Sequence, residues 1–519
     1  MTATAREIEL KLEFDPADAR RLRRCLLLQS RSSKPVRQKL VSVYFDTADL
    51  RLRRGGLSLR VRRNGRTHTQ TIKNDDGQAA VVFDRAEWEQ EIPGPLPDLA
   101  AAKERIEPLL NGQTMDSLRP AFETRIERTK YSLVTRGSRV EVVLDQGEID
   151  TGKRQVPICE LEFELKRGER EHLFHLARTL SEAAPLRLSV RSKADRGYEL
   201  VSNKLNPADK AADVHVPATM STAEAFRMIA RDCLNQLIAN ESSMLGGADE
   251  ALHQMRIALR RLRAALSTFS IVVADGVYGR IKSDLRWISA ELSPARDLDV
   301  LVAEVLMPLR QQHPADPGVA VIWRNVKARR ARAHKSAAAA VRSARFRALV
   351  LDATEWIEAG PWTKDPDDLL RLRREQPITI LAGQELERRR KQIRKQKTPL
   401  RGLSVPERHK LRIRVKKLRY AVEFFADVFS GSGAAERCQA MVSALKDLQD
   451  ALGALNDIAM RERLASRLAV SRRQSKPREA ERAFAAGVIF GSQEAHVNQM
   501  LEAAASAHAR FLEVKRFWM

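Results

Sequence analysis

Four runs of the chain place ionisable side chains in phase where apolar residues alternate with polar ones. Glu7, Glu9 and Lys11 share one side of EIELK while Ile8, Leu10 and Leu12 share the other; Glu160, Glu162 and Glu164 oppose Leu161, Phe163 and Leu165. Arg60 and Arg62 oppose Leu59 and Val61, and Arg85, Glu87, Glu89 and Glu91 oppose Trp88 and Ile92. On a single strand this pattern describes a solvated sheet face. Repeated on many strands, it lets carboxylates and cations from several strands meet in one low-dielectric channel. A lone buried charge is prohibitively costly, so such a channel calls for ligands that neutralise both sets. Divalent metal held by carboxylates and polyphosphate held by Arg and Lys satisfy both conditions. Metal bridging phosphate oxygens is also what phosphoryl chemistry requires.

A second constellation is written twice. HQMRIALRRLR at His253–Arg263 recurs as HKLRIRVKKLR at His409–Arg419. At about 100° per residue, His253, Arg256, Arg260 and Arg263 fall on one helix face beside Met255, Leu259, Leu262 and Leu266. His409, Arg412, Lys416 and Arg419 repeat the arrangement beside Leu411, Val415, Leu418 and Val422. Each copy reads as a core-packed helix with a cationic ridge. A single helical histidine is more often structural than a ligand or base, and a basic ridge is more often solvated surface. The duplication is what singles these out, because two equivalent ridges can line one basic groove.

The elements that position these residues divide into two kinds. Period-two alternation predicts about eight strands at 7–14, 36–45, 57–63, 68–73, 85–92, 122–134, 138–147 and 159–168. Asn64–Gly65, Asn111–Gly112 and Arg136–Gly137–Ser138 supply turns, and helices are expected at 15–29 and 170–183. Closing such strands into a barrel would remove exposed edges. Residues 204–221, with two prolines and no regular apolar period, read as a linker. Beyond it the chain reads as amphipathic helix, with breaks near Gly246–Gly247, Pro294, Pro314–Pro317, Gly360–Pro361, Pro399–Gly402 and Gly431–Gly433. Each ridge is followed by a similar acidic stretch, LSPARDLDVL at 292–301 and LGALNDIAM at 452–460, read as turns. The expected organisation is 1–203, linker, then 222–519 in two repeats, about 222–370 and 371–519.

Taken in order, EIELK, YFDT at Tyr44–Thr47, LRVR at Leu59–Arg62, the glutamates of 160–164 and RSKADRGY at Arg191–Tyr198 resemble the CYTH, or triphosphate tunnel metalloenzyme, superfamily across residues 1–200. The resemblance implies an eight-stranded antiparallel tunnel with Mg²⁺ or Mn²⁺ held by Glu7, Glu9, Asp145, Glu160 and Glu162. Any two of Glu160, Glu162 and Glu164 fit that role equally. It also implies triphosphate bound by Lys11, Arg60, Arg62, Lys73, Arg85, Arg125 and Lys193, with Glu7, Glu9 and Lys11 closest to the chemistry. The family includes inorganic triphosphatases, thiamine triphosphatases and adenylyl cyclases; the motifs are most similar to the bacterial branch in which a helical domain follows, which favours inorganic triphosphate. The duplicated ridge resembles the CHAD domain over about 220–519, implying two pseudo-symmetric helical bundles that bind inorganic polyphosphate.

A formal charge of +24 at pH 7 marks a partner of polyanions: nucleic acid, anionic membrane or phosphate polymer. Single-strand binders interleave aromatics with their basic residues for stacking; here Phe269, Phe424, Phe425 and Phe429 lie in apolar helical contexts, which disfavours nucleic acid. The basic runs 324–345 and 388–397 extend the groove or form solvated helix surface. The cysteines at 25, 159, 233 and 438 lack paired metal-ligand spacing and read as reduced thiols. No segment approaches the roughly 20 apolar residues of a membrane span, and the N-terminus has no apolar signal core. The expectation is a cytoplasmic protein, located at polyphosphate granules if the second half binds them, with no protein partner. A polyphosphate-associated scaffold with a weak or nucleotide-directed triphosphatase is the alternative.

Overall fold

The computed structural model describes residues 9–29, 34–74, 82–83, 87–110, 115–203, 207–211, 213–396, 398–469 and 494–518. The expected turn at Asn111–Gly112 lies outside them. The chain forms two compact units. One comprises Met1–Lys210, Leu234–Met255 and Val341–Gly360; the other comprises Ala211–Cys233, Arg256–Ala340 and Pro361–Met519.

The first unit is built on strands β1 (Glu9–Glu13), β2 (Val36–Asp46), β3 (Leu57–Asn64), β4 (Thr67–Asn74), β5 (Val82–Phe83), β6 (Glu87–Ile92), β7 (Arg119–Thr135), β8 (Ser138–Asp150), β9 (Gln155–Arg167) and β10 (Arg187–Leu188). Helices α1 (Ala19–Gln29), α2 (Arg51–Arg54), α3 (Leu99–Leu110), α4 (Glu171–Ala183) and α5 (Lys193–Val201) connect and cover them. All eight expected strands are present, in one antiparallel sheet of order β10-β1-β9-β8-β7-β2-β3-β4-β6. The Asn64–Gly65 hairpin forms as expected between β3 and β4, with Gly65 at φ +62°.

Among the described residues the sheet is not a closed barrel. The outer edge of β1 is shared by two short strands: β5 pairs Glu9↔Phe83 and Leu10↔Val82, and β10 pairs Leu12↔Leu188 and Glu13↔Arg187. Those four pairings occupy the edge of a five-residue strand, so it is protected without ring closure. Residues out of phase with the charges are buried: Leu10, Leu12, Leu59, Val61, Leu161 and Phe163 are at most 3% exposed. Each contributes about 1.5–3 kcal/mol of hydrophobic stabilisation, and together they fix the strand register that turns the charged faces the other way. Over β2, β3, β4 and β6 this apolar layer packs on α3 through Ala102, Ile106 and Leu110.

The remaining helices are α6 (Thr222–Ala239), α7 (Glu241–Leu245), α8 (Asp249–Thr268), α9 (Ser270–Val273), α10 (Tyr278–Leu301), α11 (Met307–Gln312), α12 (Pro317–Arg342), α13 (Ala344–Ala359), α14 (Asp368–Glu375), α15 (Ile378–Arg394), α16 (Val405–Phe424), α17 (Ala434–Ala469) and α18 (Glu494–Glu513). In the second unit the core is aromatic: ring centroids of Phe226 lie 5.5 Å from Phe269 and 5.4 Å from Trp362, and Phe269 lies 5.9 Å from Phe425. Both acidic stretches read as turns are helical. Residues 292–301 end α10, with Pro294 inside the helix, and 452–460 run within α17. The helix absorbs Pro294 because its neighbours bury Leu292 and Ala295 against the core. Among the described residues, no helix is long and apolar enough to cross a membrane.

Candidate functional site

Antiparallel register brings the in-phase charges of different strands to one place. Lys11 faces Glu162 across the β1–β9 ladder, Asp145 faces Glu160 across β8–β9, and Arg128 faces Asp145 across β7–β8. The resulting cavity of about 310 Å³ is lined by Glu9, Lys11, Tyr44, Ser58, Arg60, Arg62, Lys73, Glu89, Arg128, Lys130, Glu141, Val143, Glu162, Glu164, Lys166, Ser192, Lys193 and Ala194. Lysine and arginine thus supply eight of these side chains and glutamate five.

Lys193 is the hub. It is the first residue of α5, where Ser192 and Asp195 form a reciprocal capping box: Asp195 N donates to Ser192 Oγ at 3.0 Å and Ser192 N to Asp195 Oδ2 at 2.8 Å. Its ammonium lies 3.0 Å from Asp145 Oδ2 and 2.7 Å from both Glu160 Oε2 and Glu162 Oε1. Arg128 holds Asp145 through two hydrogen bonds of 2.8 and 2.6 Å and Glu162 at 2.9 Å. Arg196 donates to Glu160 Oε1 at 2.9 Å, and Lys11 stands 3.5 Å from Glu162.

This pairing sets the ionisation of the site. Burial opposes charge on Glu160, yet Lys193, Lys11 and Arg196 overcome it and bring the carboxyl down to about 2. Glu162 is likewise held well below its ordinary range, its burial outweighed by Lys193, Arg128 and Lys11. Lys193 is raised well above its ordinary value because Glu160, Glu162 and Asp145 outweigh burial. Glu9 behaves oppositely. Burial, reinforced by Glu162, raises it to about 7 against Lys11, Lys193 and Lys73. Its Oε1 is buried with no hydrogen-bond partner among the described residues. Across the cavity, burial and then Arg60 and Arg128 push Arg62 down to about 9.

Of the residues expected here, the structure gathers Glu9, Lys11, Arg60, Arg62, Lys73, Glu162, Glu164 and Lys193 around the cavity, with Asp145 and Glu160 fully buried beneath it. Glu7 and Arg85 lie outside the described residues. Arg125 is corrected: it sits half exposed on the other face of β7, paired to Glu123 at 2.7 Å and to Glu148 and Asp150 at 3.1 Å. Arg128 and Lys130 take the inner positions instead. The signal was available, because Arg128 and Lys130 oppose Tyr131 and Leu133 as the charges of the other strands oppose their apolar residues, whereas Arg125 is in phase with them.

The ridges lie on α8 and α16. Met255, Leu259, Leu262 and Leu266, like Leu411, Val415, Leu418 and Val422, are buried. His253, Arg256, Arg260, Arg412, Lys416 and Arg419 are half-buried, while Arg263 and His409 are exposed. Arg256 Nη2 is 3.6 Å from Asp297, and Arg419 donates to Gln449 at 3.0 Å and pairs with Glu423. At corresponding positions of the two copies, Arg256 Nη1 and Arg412 Nε are buried with no hydrogen-bond partner among the described residues. The structure adds Lys417, which lies among Arg389, Arg388, Lys282 and Arg263. Its counterpart Arg261 is instead neutralised by Asp232 at 3.0 Å.

Comparison with known proteins agrees with this division. Residues 5–198 match the CYTH domain family and residues 228–466 the CHAD domain family. Over 207 residues, 38% of this chain, the sequence is 31% identical to an inorganic triphosphatase of Haemophilus influenzae, and the match spans 56% of that protein. The CHAD domain from the plant Ricinus communis aligns at 27% identity and TM-score 0.48, covering 58% of this chain and 96% of that one. A Hippeastrum protein described as having a dominant triphosphatase activity aligns at 21% identity and TM-score 0.28, covering 39% and 98%. The chain thus carries a match to the CYTH domain family followed by a match to the CHAD domain family.

Proposed function

We propose that the sheet cavity hydrolyses inorganic triphosphate with a divalent metal, Mg²⁺ or Mn²⁺, and that the helical ridges bind inorganic polyphosphate. The observation that carries the first part is the concentration of interleaved charge at the cavity, where eight basic side chains and five glutamates form the lining and Asp145 and Glu160 lie buried beneath. Linear triphosphate brings an anion for the cations, and a divalent ion brings a cation for the carboxylates. The relative from Haemophilus influenzae supports the same substrate class.

The residues present fit a hard divalent cation. Glu9 offers a buried, unpartnered carboxylate oxygen, and Glu162 and Glu164 line the cavity beside it. Glu160, fully buried under Lys193 and Arg196, is a positioning residue rather than a ligand. When bound, the metal supplies charge neutralisation and polarisation of phosphate oxygens. This chain's own groups do the rest. Lys11, Arg60, Arg62, Lys73, Arg128 and Lys193 grip the nonbridging oxygens and stabilise the charge that develops as water adds to phosphorus and the P–O–P bond breaks.

In the helical half, the unpartnered guanidinium nitrogens of Arg256 and Arg412 and the cation cluster at Lys417 call for an anion. Phe269, Phe424 and Phe425 are in the core and offer no stacking platform for bases, which favours a baseless polymer. Such binding would hold the protein at polyphosphate in the cytoplasm. The test is phosphate release from tripolyphosphate, ATP and long-chain polyphosphate with each metal, comparing the parent with Glu9→Ala. Release that survives the substitution removes the assigned site, and a preference for ATP removes the inorganic substrate.

A further inference from the structure

While the cavity is empty, the Lys193 ammonium is held by Asp145, Glu160 and Glu162. Phosphate competes for that ammonium, and a divalent ion competes for the carboxylates. In the loaded site the place of Lys193 therefore has to come from its backbone, and the residues that hold that backbone lie in a part of the fold with no role so far.

Asp195 divides its two oxygens. Oδ2 accepts from Ser192 N at 2.8 Å and from Ser192 Oγ at 2.7 Å, closing the cap that starts α5, while Oδ1 meets Arg53 Nη1 at 2.7 Å. Arg53 stands on α2, a single turn of four residues between β2 and β3 that would not form alone. The chain enters that turn through Leu50 at φ +57°, a left-handed conformation that costs free energy for any residue but glycine. Asp46 offsets the cost: fully buried, it accepts from the backbone N–H of Thr47 at 2.7 Å and of Leu52 and Arg53 at 3.0 Å. The Arg53 guanidinium also lies 5.5 Å from the centroid of the Tyr198 ring on α5. The YFDT and RSKADRGY motifs are thus joined by a residue that belongs to neither.

We infer that Arg53 is a positioning residue for the reaction: acting through Asp195, it fixes the first turn of α5 and with it the place of the Lys193 ammonium when substrate and metal fill the cavity. The inference rests on the proposed triphosphate chemistry. The Arg53 and Asp195 side chains are 33% and 18% exposed, so their ion pair adds little to the stability of the fold. Nor does α5 depend on it alone, because Arg196 ties the next turn to β9 through Glu160 at 2.9 Å and the carbonyl oxygen of Pro157 at 2.6 Å. What the pair supplies is placement. A shift of about 1 Å in a group that meets the reacting phosphate costs on the order of a hundredfold in rate, so the loss of Arg53 falls on turnover rather than on folding.

Phosphate release from tripolyphosphate with Mg²⁺ or Mn²⁺ and thermal melting are measured on the full chain carrying Arg53→Gln, Asp195→Asn or both. An asparagine there keeps one oxygen for Ser192 and removes the charge that Arg53 meets. The expected result for each single variant is kcat lowered by about tenfold, KM within about threefold of the parent and Tm lowered by less than about 4 °C. Both substitutions cut one link, so the double variant should stay within about threefold of the slower single one. Losses that multiply to about a hundredfold, or Arg53→Gln turning over at the parental rate, overturn the anchor. Should Arg53→Gln not fold, Arg53→Lys, which keeps the charge and loses the planar fork, takes its place in the same cycle. A parent that releases no phosphate overturns the proposed function instead; the cycle is then read in tripolyphosphate affinity, where multiplied losses count against the anchor.

Discussion

Lys193 in the sheet and Lys417 on α16 are both lysines in charged company, and their surroundings are opposite. Lys193 is buried against Asp145, Glu160 and Glu162, which raise it well above its ordinary value. Lys417 is lowered, first by partial burial and then by Arg389, Arg388, Lys282 and Arg263. In the sheet, cations and carboxylates are interleaved by strand register, so the empty site compensates most of its own charge. A ligand must bring an anion for the cations and a cation for the carboxylates together. On the helices the excess is left open, and any polyanion can answer it through counterion release. Charge thus suits both regions to anions, but only the interleaved one holds its groups in an arrangement able to orient a reaction.

The comparison breaks first at Lys193. Replacing it with alanine strands three carboxylates in a dry site, so we expect a loss of about 3–5 kcal/mol in the stability of the sheet unit, with tripolyphosphate hydrolysis abolished. Thermal melting and phosphate release check this; a stable and active variant would show that the carboxylates do not depend on it.

Glu9 gives a pH-dependent test. Its folded value of about 7 exceeds its ordinary 4.5, so its contribution is fully present below pH 4.5 and is lost as pH rises through 7. Glu9→Gln, measured in chelator, should match the parent near pH 4.5 and become more stable above pH 7, by a difference on the order of 2–3 kcal/mol. Glu160 runs the other way: lowered to about 2, it contributes above pH 4.5 and loses that contribution as pH falls through 2. A pH-independent difference between Glu9→Gln and the parent speaks against a buried, ionisable Glu9.

The two faces of β7 sharpen the comparison within one strand. Arg128→Ala should reduce kcat/KM for tripolyphosphate by about a hundredfold and Arg125→Ala by less than about threefold. Equal losses would return Arg125 to the site. On the helices, Arg263→Ala with Lys417→Ala should weaken polyphosphate retention by about tenfold at low salt and leave tripolyphosphate turnover unchanged. Raising the salt should erase that difference, and its persistence would point to specific rather than counterion-driven binding.

Much of this was legible in the sequence because alternation carries register. The eight long runs became β1 to β4 and β6 to β9, and their in-phase charges met where register required. β5 and β10 escaped because two residues have no period, yet they cover the outer edge of β1. Arg125 was misassigned by motif order, although alternation with Tyr131 and Leu133 pointed to Arg128. The Ser192-x-x-Asp195 cap was present in RSKADRGY, and it explains how Lys193 reaches the cavity. Pro294 misled in the helical half because a proline signals a break only where packing does not hold the helix together.

The central claim is that chemistry resides in the sheet and polymer binding on the helices. It is tested most directly by measuring, on one preparation of Glu162→Gln protein, phosphate release from tripolyphosphate with Mg²⁺ or Mn²⁺ and retention of long-chain polyphosphate. The account predicts release reduced by about a thousandfold with retention equal to the parent. Release near the parental rate, or loss of both properties in a protein that melts normally, contradicts it.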